Sequence, residues 1–216
     1  MFARLRSLLR FLFFWKISDT KQDEATENPP DCIIMLAFGQ KKSPIGLGAG
    51  LYTSEIVPGP ANEAIARRME GSNRKTTYPN GLPPILAQWE LAETGTFRGP
   101  LYVTRLNSLQ MLGARGAYHN TREILEEAIV IMDYKGWSTA VIVAHPWHLR
   151  RCIWTAEKLG IVVVHDQLLT QELNAYANIW NKNVAVPPKQ LQTTSLKRWL
   201  WYEFRARIYF WLEGWI

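Results

Sequence analysis

Apolar positions along this chain alternate between runs of strand length and stretches of helical spacing. Cys32-Ile-Ile-Met-Leu-Ala-Phe38 is a continuous apolar run that stops at Gly39-Gln40, the pattern of a strand covered on both faces of a parallel sheet. Leu101–Thr104, Ala140–Ala144 and Ile161–Val164 read as further strands. Helical spacing is clearest from Thr121 to about Tyr134, where Ile124, Ala128, Ile131 and Met132 share a face and Glu123, Glu126 and Glu127 come early, where the helix dipole favours acids. Asn120 is the expected N-cap, and Gly136 ends the pattern. A second helix is predicted over residues 147–159 with Gly160 as its stop, and another from about Ala61 to Glu70. Ile85-Leu-Ala-Gln-Trp-Glu90 is too short to divide between strand and helix. Residues 41–60 read as loop, with Gly46, Gly48, Gly50 and Gly59. The Gly46-Leu-Gly-Ala-Gly50 run does not directly join a strand to a helix, so it is not a dinucleotide fingerprint. The β/α rhythm predicts a parallel, doubly wound α/β sheet.

The flanks differ from this body. Residues 18–30 are polar and end in two prolines, which marks a linker. Phe2, Leu5, Leu8, Leu9 and Leu12 recur at helical spacing among Arg4, Arg6 and Arg10, so residues 1–17 are expected to form a basic amphipathic helix, lying at a membrane interface or packed on the domain. Residues 193–216 are helical in pattern and rich in aromatics, and a closing helix packed on the domain is expected, with a membrane-lying helix as the alternative. The chain thus divides into 1–17, a linker 18–30, an α/β domain 31–192 and the closing helix 193–216.

Charge sharpens the division. The net charge of +6 comes entirely from the ends: residues 1–16 hold four bases and no acid, and residues 193–216 four bases against two acids. A neutral body argues against nucleic-acid binding, which needs a basic face within the fold, and basic ends fit peripheral contact with an anionic membrane. No apolar run is long enough for an ordinary membrane-spanning helix. Cys32 and Cys152 suggest no disulfide framework.

The strand Ala140–Ala144 runs into His145-Pro-Trp-His-Leu-Arg-Arg151. In an open α/β sheet, ligands bind outside the carboxyl ends of the strands, against the N-termini of the following helices. Arg151, about one turn into its helix, is therefore a candidate for a carboxylate or phosphate, against a salt bridge with the protein itself. His148 shares its helix face and is a candidate anion donor or general acid/base, against capping or a core hydrogen bond. His145 joins the candidate ligand set. His145 and His148 lack a third ligand nearby, and no metal is expected. Asn120 and Thr121 open the long helix, either as plain caps or as holders of a ligand's polar edge, with Glu123 as ribose acceptor, general base or surface acid. Asn62 and Glu63 open another helix, and Glu63 is a second acid/base candidate, with Arg151 or a ligand as its expected partner. Gly39 and Gln40 follow the first strand, where a small residue lets a ligand approach the backbone. Gln88 and Glu90 flank Trp89, as site groups or as solvated neighbours of one buried Trp. Neither nucleophile elbow, P-loop nor zinc motif is present.

Met35-Leu-Ala-Phe-Gly39, Asn62-Glu63-Ala64, Asn120-Thr121 with Glu123, Val141–Ala144 followed by His148-Leu-Arg-Arg151, and the tail Glu203-Phe-Arg-Ala206 with Gly214-Trp215 resemble the YdcF/SanA/ElyC-like family, a domain linked to bacterial envelope biogenesis. The resemblance spans roughly residues 31–216. The chain departs from it at Tyr118, where relatives often carry Ser, and across residues 144–147. The resemblance implies a Rossmann-like three-layer αβα sandwich with a ligand site at the strand ends. It implies an anionic or nucleotide-like small molecule, with S-adenosylmethionine the ligand described for at least one member. If the protein is a catalyst, transfer or hydrolysis at such a ligand is the expected class, in the bacterial cytoplasm or peripherally on the inner membrane. A non-catalytic, membrane-associated assembly factor is the alternative function.

Overall fold

The computed structural model describes residues 29–46, 52–71, 78, 82–95, 97, 100–104, 120–166, 174, 178–180 and 188–214, without the side chains of 42–46, 52–56, 71 and 188–189. The basic helix expected over 1–17, most of the linker, the Gly48 and Gly50 positions, Tyr118 and His119 lie outside the described residues.

Chain order is β1 (Cys32–Met35), β2 (Gln40–Gly46), β3 (Tyr52–Pro58), α1 (Pro60–Gly71), β4 (Ile85–Gln88), α2 (Trp89–Ala92), β5 (Leu101–Thr104), α3 (Thr121–Lys135), β6 (Thr139–Val143), α4 (Pro146–Lys158), β7 (Val162–Val163), a 3-10 segment (Pro188–Thr194) and α5 (Leu196–Leu212). Five strands form one sheet in the order β5-β4-β1-β6-β7, all neighbours parallel. The chain builds outward from β1 to β4 and β5, then returns to the other side of β1 for β6 and β7. The switch point, where such folds bind ligands, therefore lies between the carboxyl ends of β1 and β6.

β1 explains the layering. Cys32, Ile34 and Leu36 pack with Ile124, Leu125 and Ala128 of α3 and with Leu149, Cys152 and Ala156 of α4. Ile33 and Met35 point to the other side, with Ile65 and Met69 of α1 and Leu91 of α2. Both faces are covered, so successive side chains are all apolar although they alternate in direction. The fold is an α/β, Rossmann-like three-layer sandwich. Asp31 pins the edge of β1 to β6: its Oδ2 accepts from the Ser138 and Thr139 backbone N–H groups at 2.8 and 2.9 Å.

Residues 41–60 are not the loop that their glycines suggest. β2 and β3 pair antiparallel from Gln40↔Pro58 to Gly46↔Tyr52, a hairpin set apart from the main sheet and inserted between β1 and α1. The ambiguous Ile85–Glu90 segment is both things in turn: four residues of buried strand, then one turn of helix. α3 starts and stops as its sequence predicts, with a reciprocal Asn120/Glu123 capping box and Gly136 in the left-handed conformation.

α5 packs inward through Trp199, Glu203, Arg207 and Phe210, with Trp199 joined to Phe38 and Trp180 in a separate aromatic cluster. No helix among the described residues is long and apolar enough to cross a membrane.

Candidate functional site

After β1 the chain leaves the sheet through Phe38 and Gly39, and Gly39 has φ 75°, a left-handed conformation that glycine adopts without a Cβ clash. Asn62, fully buried on α1, fixes this turn. Its Oδ1 accepts from the Phe38 N–H and its Nδ2 donates to the Gly39 carbonyl, both at 2.6 Å. Asn62 therefore shapes the site by holding backbone, with both ends of its amide engaged there.

The turn delivers Gln40 to a polar group that β4 completes. Gln88 Oε1 accepts from the Ala37 N–H at 2.9 Å, which orients the amide so that Nε2 faces Glu90 Oε1 at 3.2 Å. Gln40 Nε2 donates to the same Glu90 oxygen at 2.6 Å. Glu90 itself is 2% exposed, and its other oxygen, Oε2, is buried with no hydrogen-bond partner among the described residues. Burial pushes the carboxyl up to about 7, against the lowering effect of the hydrogen bonds from Gln40 and Gln88. Gln88 and Glu90 are thus buried while Trp89 between them is only half-buried, the reverse of a single buried Trp with solvated neighbours.

Thr121 and His148 supply the facing wall from the first turns of α3 and α4. Arg151, 3% exposed, lies behind them. Its Nη1 donates to Thr121 Oγ1 at 2.9 Å, its Nη2 contacts His148 Nδ1 at 2.9 Å, and its Nε donates to Glu203 Oε2 at 2.9 Å. A guanidinium has only donors, so His148 Nδ1 must accept, and the proton of the neutral ring sits on Nε2. Burial, then the Arg151 charge and His145, hold His148 well below its ordinary pKa. This imidazole is a fixed N–H donor rather than a base. Nε2 lies 3.5 Å from Thr121 Oγ1.

Leu36, Ala37, Gly39, Gln40, Gln88, Glu90, Thr121 and His148 line one cavity of about 10 Å³, room for a single water-sized group. From the sequence candidates the cavity brings together Gly39, Gln40, Thr121 and His148, and with them Gln88 and Glu90, for which a site role was one of two readings. The others lie apart from it. Arg151 supports His148 and Thr121 from behind, and its carboxylate partner is Glu203, not Glu63. Glu63 is partly exposed and paired with Lys41 at 2.8 Å. Asn120 accepts from the Arg122 and Glu123 N–H groups at 3.0 Å, and Glu123 returns a bond to the Asn120 N–H at 3.1 Å, so both serve as caps. His145 caps α4 by accepting from the Trp147 N–H at 3.4 Å and stacks on Phe38 with ring centroids 3.9 Å apart; burial pushes its pKa down to about 3. Among the described residues no group of three His, Cys, Asp or Glu is placed to hold a metal ion.

Glu203 entered the sequence reading only as part of the resembling tail, with no role at the site. It is fully buried and bridges Arg151 to Arg207, whose Nε donates to its other oxygen at 2.9 Å. The available signal was an acid four residues from both Trp199 and Arg207 on a helix otherwise crowded with aromatics.

Fold and site together define the class: a Rossmann-like α/β protein with a polar cavity at the carboxyl ends of β1 and β4. Comparison with protein-family models, curated proteins and solved structures found no match to this chain.

Proposed function

We propose that this is a small-molecule protein of the YdcF/SanA/ElyC kind, which holds a polar ligand at the carboxyl ends of β1 and β4 and serves transferase or hydrolase chemistry of the bacterial envelope. The observation that supports it is the convergence of Gln40, Gln88, Glu90, Thr121 and His148 on one cavity at the strand ends, where α/β sheets bind ligands. Chains of polar groups this well ordered, with one carboxylate oxygen left unpartnered, are features of binding sites more than of cores. The cavity admits one polar group, so a ligand of nucleoside size leaves most of its body outside. S-adenosylmethionine, the candidate that the resemblance supplies, carries hydroxyl and amine groups of the right size. An anion held by Arg151 is less favoured, because that guanidinium is buried and engaged by Thr121, His148 and Glu203.

Native mass spectrometry of gently purified full-length protein is the test. A co-purifying small molecule is expected in the wild type and lost in Ala37→Leu, which adds bulk at a residue lining the cavity. An adduct that survives Ala37→Leu moves the ligand elsewhere.

The outer face of α5 favours a second reading, a membrane-associated assembly factor. Trp201, Tyr209 and Leu212 are 65%, 50% and 69% exposed, with Arg198 and Arg205 exposed beside them. Aromatic rings next to arginines suit the headgroup region of an anionic bilayer.

A further inference from the structure

We propose that Glu90 is the acid–base residue of this cavity and that the group delivered to it is a neutral substrate hydroxyl, not an anion. The inference rests on the small-molecule reading above and names the chemistry of its reacting end.

Glu90 is aimed by its neighbours. The Ala37 N–H sets Gln88, and Gln88 and Gln40 together hold Oε1, which leaves Oε2 buried, without a partner among the described residues, and in a residue that lines the cavity. A buried acceptor without a partner is costly, and a ligand that donates a hydrogen bond removes that cost. An incoming anion cannot. It would face a carboxylate, and neither Lys nor Arg lines the cavity among the described residues.

The opposite wall completes the match. Arg151 occupies His148 Nδ1, so Nε2 carries the proton and lies 3.5 Å from Thr121 Oγ1; that oxygen also accepts from Arg151, which leaves the threonine proton to donate. One side of the cavity therefore accepts and the other donates. A hydroxyl satisfies both, giving its proton to Glu90 Oε2 while its oxygen accepts from His148 or Thr121. Carboxyl titration near neutrality suits such a group to proton transfer. In the step itself the hydroxyl oxygen forms a bond to an ester-type acyl or phosphoryl centre of a co-substrate as Glu90 takes its proton. The ester bond then breaks, and Glu90 returns that proton to the departing oxygen, so the carboxylate is regenerated without oxidant or reductant. With water as the hydroxyl compound the same step is hydrolysis.

The test pairs neutral hydroxyl compounds with their phosphates: adenosine with adenosine monophosphate, glycerol with glycerol 3-phosphate, glucose with glucose 6-phosphate. Binding to the full-length protein is followed calorimetrically from pH 6 to 8. The expected result is that a neutral member binds, about tenfold more tightly once Glu90 is ionised, and that Glu90→Gln removes this pH dependence while keeping the fold. Phosphates binding in preference to their neutral partners, or a pH profile unchanged in Glu90→Gln, would overturn the inference. If no neutral member binds but native mass spectrometry still finds an adduct that Ala37→Leu removes, the hydroxyl inference fails and the small-molecule reading stands. If neither binding nor adduct is found, both fall.

Discussion

Glu90 and His145 carry opposite linkages between pH and stability. The folded-state pKa of Glu90 is raised from 4.5 to about 7. Its protonated form is therefore favoured by folding, and the contribution is present below pH 4.5 and lost as pH rises through about 7. His145 is depressed from 6.5 to about 3, so its contribution is present above pH 6.5 and lost on acidification. Comparing wild type with Glu90→Gln isolates the first effect, because the histidines are common to both. Urea denaturation should show the variant gaining on the wild type from pH 5 to pH 8, by about 3 kcal/mol if the whole shift is realised. A difference that does not change over that interval would mean that Glu90 is not held protonated. At this scale the sequence was only partly legible. His148, Gln40 and Gly39 were visible because they follow strand-like runs, and Thr121 because it opens a capped helix. Glu90 was ambiguous because no short-range pattern tells a buried carboxylate from a solvated one.

Between elements, the Arg151–Glu203–Arg207 bridge ties α5 to α4. Arg151 lies under the ring of Phe210, with 5.3 Å from its guanidinium carbon to the centroid, and Arg207 over Trp154 at 5.7 Å. Two guanidiniums and one carboxylate are out of water here, so each is tolerable only while paired. Glu203→Gln should cost about 3–5 kcal/mol, the range for breaking a buried pair, with hydrogen exchange in residues 196–212 rising along with it. A loss under about 1 kcal/mol would show that aromatic packing alone holds α5. The same bridge explains why Arg151 misled the sequence reading. An arginine one turn into a helix after a buried strand is well placed for an anion, but its partner comes from residue 203, more than fifty positions on. The hairpin of β2 and β3 was illegible for a related reason: its glycines signal turns, and its pairing is decided by two segments meeting.

For the molecule as a whole, the basic ends and the exposed ring-and-arginine face of α5 make one prediction. Full-length protein should sediment with vesicles of anionic phospholipid, less so with neutral ones, and salt should weaken it. Removing residues 1–17, or Trp201→Glu with Leu212→Glu, should each reduce it. Equal partitioning of all three proteins would exclude a membrane role for these surfaces. What the sequence determined by itself is most strands of the main sheet, the longer helices, their order and the parallel α/β class, but not the β2–β3 hairpin. Strand burial, helix caps and glycine stops are encoded within a few residues of where they act. Tertiary structure decided which candidates meet: it gathered Gln40, Gln88, Glu90, Thr121 and His148, and turned Arg151 inward to Glu203. The reason is physical. Caps and periodicity are short-range, whereas a buried charge is defined by which distant partner neutralises it, and only the packed fold supplies that partner.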